Sequence, residues 1–317
     1  MTILITGGTG FLGTYLANYL VDEKGCENEV VVFDRSDEFR WPWRTQGRVI
    51  LVIGDVLRTD DVASVVEKYD VDQIVHLAAA VGAPDPDRVI PFLQLECMAT
   101  ANVFEVARTH DVQRVVVGSS IAAYGPQDVD ELVETIPPTP DHLYGACKLW
   151  AEHLASHYTT QLGVDSIVLR LGSIFGLGRS TRGSYGSGLI GVTRDFRSSV
   201  EQAVVGGPLL KPFVDPVVDF CYAYDAAQAV WCALTADSPR HRLFNVTGER
   251  RLVSEFVSHA QTLIPEARVE ETDEAGALHQ LMNTDRIRNE LGFTPQYTME
   301  SGLDDYVARA RAALTGR

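Results

Sequence analysis

Short runs of β-branched and aliphatic residues recur through the first half of the chain, at Ile3–Thr6, Val30–Phe33, Val49–Ile53, Gln73–His76, Val115–Gly118 and Ser166–Leu169. They are nearly continuous in apolar character rather than alternating, which is the mark of strands covered on both faces. Between most of them the spacing predicts helices over residues 11–24, 59–69, 86–109 and 145–161. Strands alternating with helices in this way predict an α/β fold built on a doubly wound parallel sheet. Beyond about residue 171 the rhythm changes. Residues 172–188 are rich in Gly, Ser and Arg and read as a long loop with a binding role, because structureless stretches of that length are uncommon in compact domains. Helices are expected again at 189–204, 225–236, 253–263, 283–291 and 300–313. No internal repeat, low-complexity tract or interdomain linker interrupts the pattern.

Composition narrows the function classes. The 317 residues are 45% hydrophobic and 22% charged, with a formal net charge of −16. That acidity disfavours nucleic acid or an anionic membrane as partner, since both would repel it. The five cysteines (Cys26, Cys97, Cys147, Cys221, Cys232) are odd in number, widely spaced and free of any CxxC pair. Such usage suits a reducing cytoplasm better than a disulfide framework or a zinc site. The chain opens directly into a strand without a signal segment, and no run approaches the ~18 apolar residues of a membrane span. A cytoplasmic protein is the expectation, with neither nucleic acid nor membrane as partner and without a bound metal.

The first strand leads into Thr6-Gly7-Gly8-Thr9-Gly10-Phe11-Leu12-Gly13, which opens the first helix. Gly7 permits the tight turn, Gly10 lets the backbone approach a pyrophosphate, and Gly13 allows close helix–sheet packing. Phe11 and Leu12 begin the helix whose free N–H groups and partial positive charge suit phosphates. Asp34 ends the second strand about twenty residues further on, where a carboxylate accepts from ribose hydroxyls and repels a 2′-phosphate. NAD is favoured over NADP on this ground, although Arg35 follows and an arginine accommodates that phosphate. Asp55 and Val56, after the third strand, are placed beside the adenine. Leu77, Ala78 and Ala79, after the fourth, are placed beside the middle of the cofactor, where the small residues at 78–80 let the dinucleotide lie close to the backbone.

Tyr144 and Lys148, in Tyr-Gly-Ala-Cys-Lys, are four apart and share one helical face. A free phenol has a pKa near about 10, and a neighbouring ammonium lowers it. A tyrosinate so stabilised takes the proton from a substrate hydroxyl as hydride leaves its carbon. Lys148 could also hold the nicotinamide ribose. Ser120, just past the fifth strand in Gly118-Ser119-Ser120-Ile121-Ala122-Ala123-Tyr124-Gly125, stands at the carboxyl ends of the strands and could donate to the substrate oxygen. A turn or capping serine is the plainer alternative.

TGGTGFLG, an acidic end to the second strand, HLAAA, SSIAAYG and YGACK follow one another at intervals that resemble the extended short-chain dehydrogenase/reductases, the NAD-dependent epimerase/dehydratase family. The resemblance covers about residues 1–236 and weakly the rest. It implies a Rossmann-type unit over 1–170, rejoined by 217–246, with 171–216 and 247–317 forming a smaller C-terminal substrate-binding lobe. It also implies Ser120, Tyr144 and Lys148 as the catalytic set, and homodimers paired through the helices at 86–109 and 145–161.

Two departures bear on the substrate. Nucleotide-sugar members carry an arginine before an Asp-Phe or Asp-Tyr pair, where it clamps the diphosphate; Val218 stands there, before Asp219-Phe220. The later Arg-Pro-Gly-Asp segment is also missing, and Glu271–Leu281 is mostly acidic and apolar. The second departure is Glu96, in a segment that in the family starts with an asparagine supporting a proton relay. A glutamate there could pair with Lys148 or carry protons itself. For an anion there remain Arg179, Arg182 and Tyr185 on the Gly/Ser/Arg loop, as candidate substrate-binding residues beside Ser120, or else an exposed loop whose arginines offset an acidic protein. Arg194 and Arg197 are expected to be solvated. Trp41-Pro42-Trp43-Arg44 covers the adenine end or packs its loop. Tyr222 and Tyr224 are expected to pack, and His153 and His157 to lie on a surface or dimer interface.

The expectation is an NAD-dependent oxidoreductase acting at a secondary alcohol carbon of a sugar-like or sugar-acid molecule as a net dehydrogenase. The runner-up is a nucleotide-sugar epimerase or dehydratase that returns the hydride, and a non-catalytic NAD-binding regulator on the same fold is a third reading.

Overall fold

The computed structural model describes residues 1–27, 29–37, 48–82, 84–179, 195–272 and 281–315. Strands β1 (Ile3–Thr6), β2 (Val30–Asp34), β3 (Ile50–Ile53), β4 (Gln73–His76) and β5 (Arg114–Ser120) alternate with helices α1 (Phe11–Asp22) and α2 (Thr59–Tyr69) and with a helical stretch over 86–109. That stretch is a 3-10 turn (Pro86–Arg88), α3 (Val89–Leu93), a π-helical turn (Gln94–Met98) and α4 (Ala99–Thr109). The two-residue β6 (Glu131–Leu132), α5 (Leu143–Gln161), β7 (Ser166–Leu171) and β8 (Ser173–Phe175) follow. Then come α6 (Phe196–Val204), β9 (Leu209–Pro212), β10 (Val217–Tyr222), α7 (Ala223–Thr235), β11 (Leu243–Val246), β12 (Glu249–Leu252) and α8 (Val253–Leu263). The chain closes with β13 (Val269–Thr272), β14 (Leu281–Met282), α9 (Asp285–Leu291) and α10 (Met299–Leu314).

The doubly wound parallel sheet expected from the apolar runs is present. Seven parallel strands lie in the order β11-β7-β5-β4-β1-β2-β3. Ile3, Leu4, Ile5 and Val30, Val31, Val32 are fully buried, so successive side chains are covered on opposite faces of the sheet. The strand order reverses at β1, between β2 and β4, and there the carboxyl ends open a crevice. A second, three-stranded sheet orders β12-β10-β8, while the pairs β13-β9 and β14-β6 are small parallel ladders. Residues 217–246 thus begin in the smaller sheet with β10 and reach the edge of the main sheet with β11.

Four expectations change. The helix predicted over 86–109 is broken by the π-helical turn, which an apolar period near 3.6 does not reveal because a single inserted residue leaves the pattern on either side intact. By length and mean hydropathy (1.2) the stretch Pro86–Thr109 also meets the measure of a membrane span, contrary to the reading of the bare sequence. It is partly buried: Phe92, Val103 and Phe104 are covered completely, whereas Ile90 and Met98 are exposed. The loop read over 172–188 contains β8, which pairs with β10. Of the helix read over 189–204, the described part starts at Phe196, where the Asp195 side chain accepts from Ser198 N at 2.8 Å and caps it; residues 189–194 lie outside the described residues.

Beneath the carboxyl ends of β5 and β7 lies a buried ion pair. Arg170 donates from Nε (2.8 Å) and Nη2 (2.6 Å) to Glu152, and Ser119 Oγ donates to the same carboxylate at 2.6 Å. The guanidinium also stacks 4.1 Å from the Tyr124 ring centroid. Both partners are nearly inaccessible, at 2% and 7% exposure. Removing one charge from such a pair strands the other in a medium that cannot solvate it. Glu152→Gln is expected to lower unfolding stability by about 3–5 kcal/mol, read from the midpoint of urea denaturation.

Candidate active site

The glycine loop is fixed by contact as well as by conformation. Gly7 has φ +70°, and a Cβ there would stand 2.6 Å from Ala78 N. A Cβ on Gly13 would fall 2.5 Å from Gly7 O, so α1 leaves the loop at a distance only glycine allows. Helix α1 begins at Gly10 with no side chain capping it, which leaves the first-turn N–H groups of Phe11, Leu12 and Gly13 for a ligand. The Asp34 carboxylate accepts from Thr9 Oγ1 at 2.7 Å, Thr9 N at 3.2 Å and Arg35 N at 2.8 Å. Asp34 therefore ties the loop to the end of β2 and still has lone pairs for a ribose, while the Arg35 side chain is exposed. Asp55 accepts from Leu57 N at 2.9 Å, Val56 is buried, and Leu77, Ala78 and Ala79 are half-buried along the crevice. An uncapped helix terminus, a glycine cradle and an acidic strand end fit a dinucleotide.

The second half of the site depends on how closely α5 approaches β5. A Cβ on Gly145 would come 2.3 Å from Ala122 O, so the helix N-terminus abuts the turn after Ser120. His142 caps α5, accepting from Gly145 N at 3.1 Å, and its ring stacks on Tyr144 at 6.3 Å. Tyr144 and Lys148 are both buried, and the ammonium lies 5.3 Å from the phenol ring centroid. Ser120 Oγ accepts from Ala122 N at 3.2 Å, which makes it a cap and leaves its own proton free to donate. A phenol, an ammonium and a hydroxyl donor so placed can exchange a proton with an alcohol and hold the oxygen.

Behind Lys148 stands Glu96, 2.9 Å away and wholly buried, on the π-helical turn. Ala80 N donates to its other oxygen at 2.5 Å. Burial alone would lower the Lys148 pKa, but Glu96, and after it Tyr144, hold the ammonium well above its ordinary value. His76 bridges Thr6 (2.7 Å) and Thr100 (3.1 Å), and burial, reinforced by Lys148, pushes it down to about 3. His76 is therefore neutral.

Arg197 is not solvated as expected. Its Nη2 lies 3.0 Å from Asp195, and Arg179 reaches the same carboxylate oxygen at 3.3 Å. Burial opposes the charge on Asp195, yet Arg197 and Arg179 hold its carboxyl well below the usual range. The Nε atoms of both arginines are buried without a hydrogen-bond partner, and the Arg179 guanidinium sits 6.0 Å from the Phe11 ring at the start of α1. Glu201, one turn along α6, accepts from Gly178 N (2.8 Å) and Tyr306 Oη (3.1 Å). Asp195 was not anticipated; its signal was the capping position before a helix. Arg182, Tyr185, Arg194 and Trp41–Arg44 lie outside the described residues. Tyr222 and Tyr224 pack, in an aromatic group with Tyr15 and Tyr297, and Tyr222 donates to Asp305 at 2.5 Å. His153 lines a separate cavity of about 410 Å³ between α5 and the β7–β11 edge, and among the described residues no cluster of His, Cys, Asp or Glu is placed to hold a metal.

The chain belongs to the NAD dependent epimerase/dehydratase family, which it matches over residues 3–259. It is 25% identical to the UDP-glucose 4-epimerase of Corynebacterium glutamicum, across 94% of this chain and 92% of that protein. The fold is that of dTDP-glucose 4,6-dehydratase from Bacillus anthracis solved with NAD (TM-score 0.82, 21% identity, 99% and 98% of the two chains). An L-threonine dehydrogenase of Cupriavidus necator is equally close in fold (TM-score 0.80, 22% identity, 97% and 99% covered). The resemblance drawn from the motifs thus holds, and the protein is an NAD-dependent enzyme of this family. Asp34→Ala should raise the Kd for NAD by about 10–100-fold, since a hydrogen bond to a charged group contributes about 1.5–3 kcal/mol. Titration calorimetry of the two forms measures it.

Proposed function

We propose that this family member is a net dehydrogenase that oxidises a secondary alcohol carbon of a sugar-like or sugar-acid molecule. Tyr144 takes the hydroxyl proton, Lys148 stabilises the phenolate, and Ser120 donates to the oxygen as it becomes a carbonyl. The glycine loop, Asp34, Asp55, Val56 and Leu77–Ala79 hold NAD, with Arg35 beside Asp34 at the ribose end; when bound, NAD supplies the redox chemistry. Residues 1–170, with 217–246 returning, serve the cofactor, and 171–216 with 247–317 serve the substrate.

The observation that carries the reading is the state of the cations beside β10. Val218 is buried where a diphosphate clamp would be, and its register partner on β12 is Arg251. Arg251 is already held by Glu249 (2.8 Å), Glu255 (3.1 Å) and Glu300 (3.1 Å). Arg250 is held by Asp219 and Glu131, both at 3.0 Å. A diphosphate needs donors not already neutralised. Arg179 and Arg197 are two guanidiniums on one carboxylate, and that excess of positive charge suits a single carboxylate on the substrate instead. Arg182 and Tyr185 join them in this assignment.

A nucleotide-sugar epimerase or dehydratase is the second reading, favoured by the named activity of the Corynebacterium relative across nearly the whole chain. Pairing of two chains through α3–α4 and α5 is supported by the exposure of Ile90 (65%), Met98 (53%) and Trp150 (37%). The scattered, CxxC-free cysteines support a cytoplasmic setting.

NADH absorbance is the test, with NAD and a panel of sugar acids, free sugars, other secondary alcohols and nucleotide sugars. Sustained NADH production from a non-nucleotide substrate supports the proposal; conversion of a nucleotide sugar without net NADH overturns it. Tyr144→Phe should cut turnover by about 10²–10⁴-fold while NAD affinity stays within a few-fold. Arg179→Ala should raise KM for a carboxylate-bearing substrate by about tenfold or more and leave neutral alcohols little changed.

A further inference from the structure

Glu96 is a charged side chain in direct contact with Lys148 that this mechanism does not use. It is 2% exposed, it is carried inward by a π-helical turn, and its two oxygens meet Ala80 N and Lys148 Nζ. An asparagine at this position would supply the same backbone acceptor and no charge. The charge therefore acts on Lys148.

We infer that Glu96 is a positioning residue that neutralises Lys148, and so sets the pH at which Tyr144 releases its proton. The inference rests on Tyr144 being the base. A lone ammonium beside a phenol stabilises the phenolate by the full field of a unit charge. With a carboxylate 2.9 Å behind it, the ammonium is one end of a buried dipole, and the phenol feels the difference of two opposed terms. The other groups around the pair do not alter this. His76, from β4, is neutral across the working range because its pKa is near 3. Cys147 on α5 is pushed up to about 12 by burial and its neighbour Cys97, and Cys97 on the π-helical turn is raised as well, again chiefly by burial. His142 faces the phenol from the cap of α5 and is the same in every variant below. When Glu96 is made neutral, the buried ammonium is left with the Tyr144 phenol as its ionisable counter-charge. Phenolate formation is then favoured by the desolvation that Glu96 otherwise offsets.

The experiment is a titration of Tyr144 in the whole protein, with and without NAD. It is followed by NMR of tyrosine labelled at the phenol carbon, and the resonance is assigned by its absence in Tyr144→Phe. Glu96→Gln and Glu96→Asn should each move the Tyr144 titration down by about one unit or more. Glu96→Asp, which keeps the charge, should titrate close to the unmodified enzyme. Once a substrate is in hand, the acidic limb of kcat/KM for alcohol oxidation should move by the same amount. An unmoved or upward-shifted titration in both neutral variants overturns the inference. The same holds if Glu96→Asp shifts as far as Glu96→Gln, because the effect is then structural. The titration needs no turnover, so it can succeed or fail independently of whether Tyr144→Phe abolishes activity.

Discussion

A charge placed inside a protein must find a partner there, and the site is arranged around that requirement. Lys148 has to be buried to reach Tyr144 from the inner face of α5, and an unpaired ammonium in that place would cost several kcal/mol. Glu96 meets the cost, but only because the helix carrying it is interrupted. The π-helical turn turns Glu96 inward, where it also receives the Ala80 N–H from the segment leaving β4. One ion pair thus ties together the tail of β4, the broken helix and α5, which are the three walls of the crevice. The same rule recurs nearby. Arg170 is paired with Glu152 under the ends of β5 and β7, and Asp195 holds Arg179 and Arg197 at the start of α6.

Features governed by local spacing were legible in the sequence. The apolar runs gave the parallel strands, the glycines after β1 gave the loop, and the interval of four put Tyr144 and Lys148 on one face. Asp34 at the end of β2 was legible as an acceptor, though its use by Thr9 was not, because that bond closes across twenty-five residues. What sequence could not show is what depends on partners remote in the chain. The Gly-Ser-Ile-Phe segment reads as loop, and it becomes β8 only because β10 supplies its hydrogen bonds. Arg197 reads as a surface residue of an acidic protein until Asp195 and Arg179 are brought against it. Glu96 was visible as a departure, and pairing with Lys148 was one of two roles open to it; the inserted turn that settles the geometry leaves no trace in the apolar pattern.

Net charge and local charge point in opposite directions, which constrains the substrate. At −16 the protein repels anions at long range, yet its arginines are not spread evenly as solubilising groups. Those of β12 are saturated by carboxylates, whereas Arg179 and Arg197 share one and keep buried donors unused beside α1. Buried donors without a partner carry a desolvation cost, and two guanidiniums on one carboxylate leave an excess of positive charge. On the proposed reading the Arg179–Arg197 pair receives a single anionic group, whereas the cations facing Val218 are already held by carboxylates.

The exchange of a neutral amide for Glu96 also bears on whether hydride is returned. An enzyme that oxidises and then re-reduces the same carbon takes a proton onto Tyr144 and gives it back in one cycle, so the phenol's pKa affects both halves in opposite senses and largely cancels. A net dehydrogenase has no second half, and the phenol's pKa then sets the pH range over which oxidation is fast, while the equilibrium itself is fixed by substrate, cofactor and pH. A phenol whose pKa is raised by a neutralised Lys148 is a weaker acid, needs a higher pH to be present as the phenolate that accepts from an alcohol, and is the stronger base once it is. Tuning that residue therefore has a consequence in a one-way reaction that it lacks in a closed cycle. A charged Glu96 in contact with Lys148 is for that reason in keeping with the proposed net dehydrogenase, whose oxidation rate alone feels the phenol's pKa.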